Sequence, residues 1–141
     1  MPPVETPGFS LDPRLAADSE AVARIGLCEL RLMNDRRWPW VLLVPQRAGI
    51  EEIHALTPLD QALLTFETNL VAQALKNLTG CTKINTAALG NIVRQLHVHV
   101  VGRREGDASW PGPVWGNGRA LDYDPAQRGR LIDVLREAFA S

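Results

Sequence analysis

The residues of this chain best equipped for chemistry are His97 and His99, two positions apart in the run QLHVHVVGR (95–103). Gln95, His97 and His99 alternate there with Leu96, Val98 and Val100. A strand repeats every second side chain, so the polar three share one face and the aliphatic three the other. Imidazoles titrate near neutrality and can serve as nucleophile, proton carrier or metal ligand. Three readings fit the pair. It can be a solvated polar face. It can give two ligands to zinc, with His54, Cys28, Cys81 or a carboxylate completing the set at no diagnostic spacing. It can also be a nucleophilic site for a phosphate, and the upstream residues bear on this. A turn at Gly90–Asn91 can present backbone N–H groups to an anion. Asn85 and Asn91 add neutral donors for phosphate oxygens or sugar hydroxyls.

The elements that must position these residues read as one domain spanning residues 1–141. The chain is 45% hydrophobic and 22% charged with a net charge of −1, the composition of a soluble globular domain. The absence of a Lys/Arg stripe argues against a nucleic-acid groove or an anionic membrane surface as partner, and leaves a small nucleotide open. Cys28 and Cys81 read as buried free thiols of a reducing compartment. MPPVETPGFSLDPRL lacks the pattern of a signal peptide, and no apolar run is long enough to span a bilayer, so the cytoplasm is the expected location.

Residues 1 to 10 read as a loose lead-in and LDPRLAADSEAVARI as a short helix. GLCELRLMN and VLLVP (41–45) read as two strands of an antiparallel hairpin around the turn NDRRWPW. The clearest helix is TPLDQALLTFETNLVAQALKNLTG, capped by Thr57, opened by Pro58 and stopped by Gly80. The spacing of Leu59, Leu63, Phe66, Leu70, Ala74 and Leu78 predicts its buried face. CTKINTAAL and QLHVHVVGR are then strands around a tight Gly-Asn turn. DASWPGPVWGNG, with two prolines and three glycines, is irregular. A final helix starts near Pro125, capped by Asp124, with Leu131, Leu135 and Ala138 facing inward. Strands flanking one long helix indicate an α+β domain with a mostly antiparallel sheet. Of the remaining residues, His54 reads as a surface or capping residue, and Asp35 as part of the Asn34 turn. Trp38 and Trp40 read as core or dimer packing, and Trp110 and Trp115 as packing or as a flap over the site.

With these elements placed, QLHVHVVGR resembles the signature of the histidine-triad (HIT) nucleotide hydrolases and transferases, His-φ-His-φ-His-φ-φ with φ apolar. LMNDRRWPWVLLVPQRAGIEEIHALTPLD and INTAALGN are similar to the family's hairpin, helix entry, asparagine strand and phosphate loop. About residues 22–104 are covered. SWPGPVWG, within the segment and helix of 105–141, resembles a bacterial branch described as similar to diadenosine polyphosphate hydrolases. The resemblance implies a five-stranded antiparallel sheet with two main helices, and a homodimer.

It also implies that His97 attacks the α-phosphate of a nucleotide while His99 contacts the phosphate and the leaving-group side. Asn85 and the loop of Leu89, Gly90 and Asn91 would hold phosphate oxygens, and Asn34 would lie near ribose and base. Gln95 stands where the family has its first histidine. It is expected to face the site and to hydrogen-bond the phosphate or an imidazole without a titratable proton. The activity implied is hydrolysis of a phosphoanhydride or phosphoramidate, in a dinucleoside polyphosphate or an adenosine monophosphate ester, through a nucleotidyl-histidine intermediate. No metal is required, although a divalent cation can accompany a polyphosphate. The alternative is a non-catalytic nucleotide-binding protein with a weakened triad.

Overall fold

Residues 8–140 are described by the computed structural model, so the first seven positions of the expected lead-in lie outside the described residues. Five strands, β1 Ser19–Ile25, β2 Cys28–Met33, β3 Trp40–Pro45, β4 Lys83–Ala88 and β5 Val98–Arg103, form one sheet. Their order is β1-β2-β3-β5-β4, antiparallel throughout. The helices are α1 Pro13–Asp18, α2 Pro58–Thr79 and α3 Pro125–Phe139, with a short 3-10 turn at Ile53–Ala55 that carries an exposed His54. The class is the expected α+β.

Helix α2 begins and ends as its sequence dictates. The Thr57 hydroxyl accepts from the Asp60 amide at 3.1 Å, and Gly80 takes the left-handed conformation (φ 64°) while donating to the Lys76 carbonyl. Its buried face, however, differs from expectation. Leu59, Phe66, Leu70 and Leu78 are 70, 60, 43 and 41% exposed, whereas Leu64, Val71 and Leu75 are buried along with Asp60 and Glu67. The two acids disguise the inner face in sequence. Glu67 accepts from the amides of Leu27 and Cys28 at 2.8 and 2.9 Å, and Asp60 pairs with Arg47 at 2.7 Å. Buried carboxylates are tolerated where donors satisfy them, and here they are. Gly26 completes this joint, because a Cβ there would lie 2.6 Å from a Glu67 oxygen.

The expected N-terminal helix is shorter than its sequence suggests, ending at Asp18 and giving way to β1. Within β1 the register shifts between Ala21 and Ala23. The shift puts buried Ser19 and Val22 three residues apart, a spacing that imitates a helix. In α3, capped by Asp124 as expected, Ile132 and Leu135 are buried and Ala138 is exposed. Cys28 and Cys81 are buried free thiols. Among the described residues, no helix is long and apolar enough to cross a membrane.

The sheet carries a core on each face. Leu30, Leu32, Val41, Leu43, Val98 and Val100 pack under α2 and α3, with Leu64, Val71, Leu75, Ile132 and Leu135. On the opposite face Trp38, Trp40, Leu42, Val44 and Val101 form a smaller cluster with Leu15 and Val114. Leu75→Ala should therefore cost about 2–5 kcal/mol of unfolding free energy, the usual range for emptying a core leucine site. Leu78→Ala, on the outer face, should cost under about 1 kcal/mol. Urea melts of the two variants check which stripe faces the sheet.

Candidate active site

Pairing of β3 with β5 sets Leu42 opposite His99 and Trp40 opposite Val101. Trp40 and His99 are thus diagonal neighbours on one face, within reach of each other's side chains. The Trp40 indole nitrogen lies 3.0 Å from His99 Nδ1, and both residues are buried, at 7 and 5% exposure. Trp115 meets His99 edge-on at 5.3 Å between ring centroids, and His97 does so at 4.9 Å. Burial in this aromatic nest, with His97 adding to it, holds the His99 pKa down to about 3. The histidine face is a second core, which overturns the solvated-face reading.

His97 comes just before β5 begins. Its Nδ1 lies 2.7 Å from the Gln95 carbonyl oxygen. A carbonyl only accepts, so Nδ1 carries the proton of the neutral ring and Nε2 keeps a free lone pair. That is the tautomer a nucleophilic imidazole requires.

Strand β5 starts three residues later than QLHVHVVGR suggests. Its pairing with β4 and β3 ends at Val98, and the Leu96 amide instead donates to the Ile50 carbonyl at 3.0 Å. Freed from the ladder, Gln95 does not face the cavity. Its Oε1 accepts from the Asp12 amide and its Nε2 donates to the Ser10 carbonyl, both at 2.8 Å. The expectation that this amide serves the phosphate or an imidazole is thereby corrected. Gln95 anchors the segment leading into α1. Asp12 then caps that helix, and Arg14 donates to the Ile92 carbonyl at 3.1 Å.

A cavity of about 610 Å³ opens in front of the histidines. Leu89, Gly90 and Asn91 line one wall, in a connection longer than the expected tight Gly-Asn turn. The loop packs closely at Gly90, where a Cβ would approach the Val93 carbonyl to 3.3 Å. Asn34 and Asp35 line the far end. The Asn34 side-chain oxygen accepts from the Tyr123 amide at 3.0 Å, and buried Asp35 pairs with Arg37 at 2.7 Å. Arg37 in turn donates to the Asn117 carbonyl at 2.7 Å, so the 114–122 segment is tied down as the third wall.

Asn85 stands apart. Its oxygen accepts from the fully buried Arg103 at 3.0 Å, and it does not line the cavity, so the structure does not bring it to the other site residues. Arg103 also pairs with Asp107 at 2.7 Å and lies 5.4 Å from the Trp110 ring centroid. Of the two late tryptophans, Trp115 is the one at the site, and its buried indole N–H has no partner among the described residues. Among the described residues, no three His, Cys, Asp or Glu side chains are grouped as a metal ion requires. Trp115 was singled out in the sequence as a residue that could close over the site, whereas the contact of Trp40 with His99 was not legible there, since it depends on strand register.

Gln95→Leu should destabilise the fold by about 1–3 kcal/mol, because two backbone groups lose their partner. It should also speed amide hydrogen exchange at Asp12. Unchanged protection of that amide would refute the anchoring role.

The comparisons agree with this geometry. The family model described as HIT domain matches residues 14–106. Among solved structures, a histidine triad protein from Sinorhizobium meliloti is 60% identical, with a TM-score of 0.90 over 93% of this chain and 97% of its own. One from Bradyrhizobium japonicum is 42% identical, with a TM-score of 0.92 over 95% and 100% of the two chains. One from Marinobacter aquaeolei is 43% identical, with a TM-score of 0.90 over 92% and 95%. No curated protein matches the chain. A buried histidine pair, the sheet that presents it and a family match over most of the length lead to one assignment: the chain belongs to the histidine triad (HIT) domain family.

Proposed function

We propose that this protein is a nucleotide hydrolase, of the branch similar to diadenosine polyphosphate hydrolases, that cleaves at the α-phosphate through a nucleotidyl-histidine intermediate. The observation that carries the reading is the 2.7 Å contact from His97 Nδ1 to the Gln95 carbonyl, which leaves Nε2 as a lone-pair donor at a cavity wall. Nε2 forms a bond to the α-phosphorus as the bond to the leaving group breaks in line, and the leaving atom takes the electron pair. The ring becomes a nucleotidyl-imidazolium whose Nδ1–H still donates to the Gln95 carbonyl. Water then attacks phosphorus, the P–N bond breaks, its electron pair returns to Nε2, and one water proton passes to solvent. The product is a nucleoside monophosphate.

The remaining residues have supporting roles in this reading. Leu89, Gly90 and Asn91 flank the phosphate, and Asn34 lies towards ribose and base. The volume suits such a ligand, since small-molecule sites usually span roughly 300–1,000 Å³. Any divalent cation would arrive with a polyphosphate substrate. Asn85 acts on the site only through Arg103 and the strand that both brace.

His97→Ala should lower turnover by at least roughly a thousand-fold, the scale on which enzymes lose a nucleophile. Nucleotide binding and Tm should stay close to those of the unaltered protein. The assay is product release from diadenosine polyphosphates and nucleoside phosphoramidates, beside thermal shift with nucleotide. Thermal stabilisation without product would make the protein a nucleotide binder, and a covalent adduct trapped on another residue would refute the mechanism.

The second half of the proposal is a homodimer. The Trp38–Trp40 hairpin is buried within the protomer, which leaves the long helix as the candidate interface. Exposed Leu59, Phe66, Leu70 and Leu78 run along it, and β4 is an edge strand of the sheet. Exposed apolar side chains and an open edge both favour association with a second copy. Light scattering should give a dimeric mass at micromolar concentration. Phe66→Asp with Leu70→Asp should give a monomer that keeps its circular dichroism, and a monomeric mass for the unaltered protein would overturn the proposal.

A further inference from the structure

The hydrogen bond from Trp40 to His99 carries a consequence for the kind of bond this site can break. An indole nitrogen donates and cannot accept. At 3.0 Å from the Trp40 nitrogen, His99 Nδ1 must therefore offer its lone pair. A neutral imidazole has one N–H, so the proton of His99 sits on Nε2. The two histidines are held in opposite tautomers: His97 by a carbonyl acceptor at Nδ1, His99 by an indole donor at Nδ1.

Protonating His99 would need Nδ1 to become a donor against the Trp40 N–H, inside a nest where both residues are buried. The groups facing His99 do not favour an added charge. Among the described residues they are Trp40 and Leu42 from β3, Ala87 from β4, Trp115 from the C-terminal wall, and His97, the one titratable group of the set. The low pKa of His99 agrees with this geometry.

We infer that Trp40 is a positioning residue that fixes His99 as a neutral Nε2–H donor, and that the site is thereby suited to leaving groups that depart as stable anions. A neutral imidazole can stabilise charge on a departing or equatorial oxygen by hydrogen bonding, but it has no acidic proton to give up. A phosphoanhydride satisfies that limit, since its leaving oxygen belongs to a phosphate and takes the electron pair of the broken P–O bond as an anion. An amine leaving a phosphoramidate must gain a proton as the P–N bond breaks, and His99 in this state does not supply it. The inference rests on the nucleotidyl-histidine reading for its substrate preference. The tautomer lock itself needs no substrate.

The test uses the full-length protein labelled with nitrogen-15 in histidine and tryptophan. A scalar coupling across the Trp40 N–H···Nδ1 bond is expected, with the His99 proton on Nε2 and the ring unprotonated from pH 8 down to about 4. Loss of the coupling or a proton on Nδ1 would overturn the lock, and this spectrum decides the matter even if a Trp40 variant fails to fold. In Trp40→Phe, both His99 tautomers should become populated. Its kcat on a diadenosine polyphosphate should fall roughly ten-fold or more, with KM within about two-fold, because the lost interaction acts on the transition state. Unchanged His99 signals in this variant would also overturn the proposal.

With unaltered protein, kcat/KM should favour the diadenosine polyphosphate over an adenosine alkyl-phosphoramidate by at least roughly ten-fold, about 1.4 kcal/mol in barrier. Faster cleavage of the phosphoramidate would overturn the substrate class. No turnover of either compound, with the tautomer as stated, would remove the hydrolase reading and the preference with it while leaving the lock in place.

Discussion

The antiparallel register between β3 and β5 is the constraint on which the rest of this molecule depends. It places Trp40 diagonally across from His99 and sets Val41, Leu43, Val98 and Val100 on the opposite face under the helices. A slip of one residue would exchange the two faces, carrying valines into the aromatic cluster and pushing the histidine towards the α2 core. Both faces are buried, so both cores resist that slip. The site is thus specified by the same pairing that specifies the fold.

The walls of the cavity come from opposite ends of the chain and are fastened to this framework by single polar side chains. Gln95 fastens the segment before α1, and Asn34 and Arg37 fasten the segment before α3. Each fastening joins a side chain to backbone groups distant in sequence. Such bonds fix position without adding bulk to the pocket. Gln95 does this with a two-ended amide that binds a donor and an acceptor at once.

Much of this was legible in the sequence, and the failures share a cause. Caps and stop signals predicted α2 and α3 because those act within a turn. Alternation predicted the β2–β3 hairpin and the common face of His97 and His99. Where a buried position was polar, the pattern misled: Asp60 and Glu67 drew the inner face of α2 away from its true residues. A register shift did the same for β1, spacing Ser19 and Val22 like a helix. The directions of Gln95 and Asn85 and the role of Trp40 depend on partners 83, 18 and 59 residues away, which no local pattern encodes.

The neutral state of His99 also has a consequence for acid tolerance. Its pKa falls from an ordinary 6.5 in the open chain to about 3 in the fold. Below pH 6.5 the unfolded chain binds a proton that the native one refuses, so unfolding becomes proton-driven. Any stability tied to this residue is whole above that value and declines as pH drops towards 3, by at most about 1.4 kcal/mol per unit. An imidazole kept uncharged inside an aromatic nest thus makes the fold itself a sensor of acidity, whatever passes through the cavity.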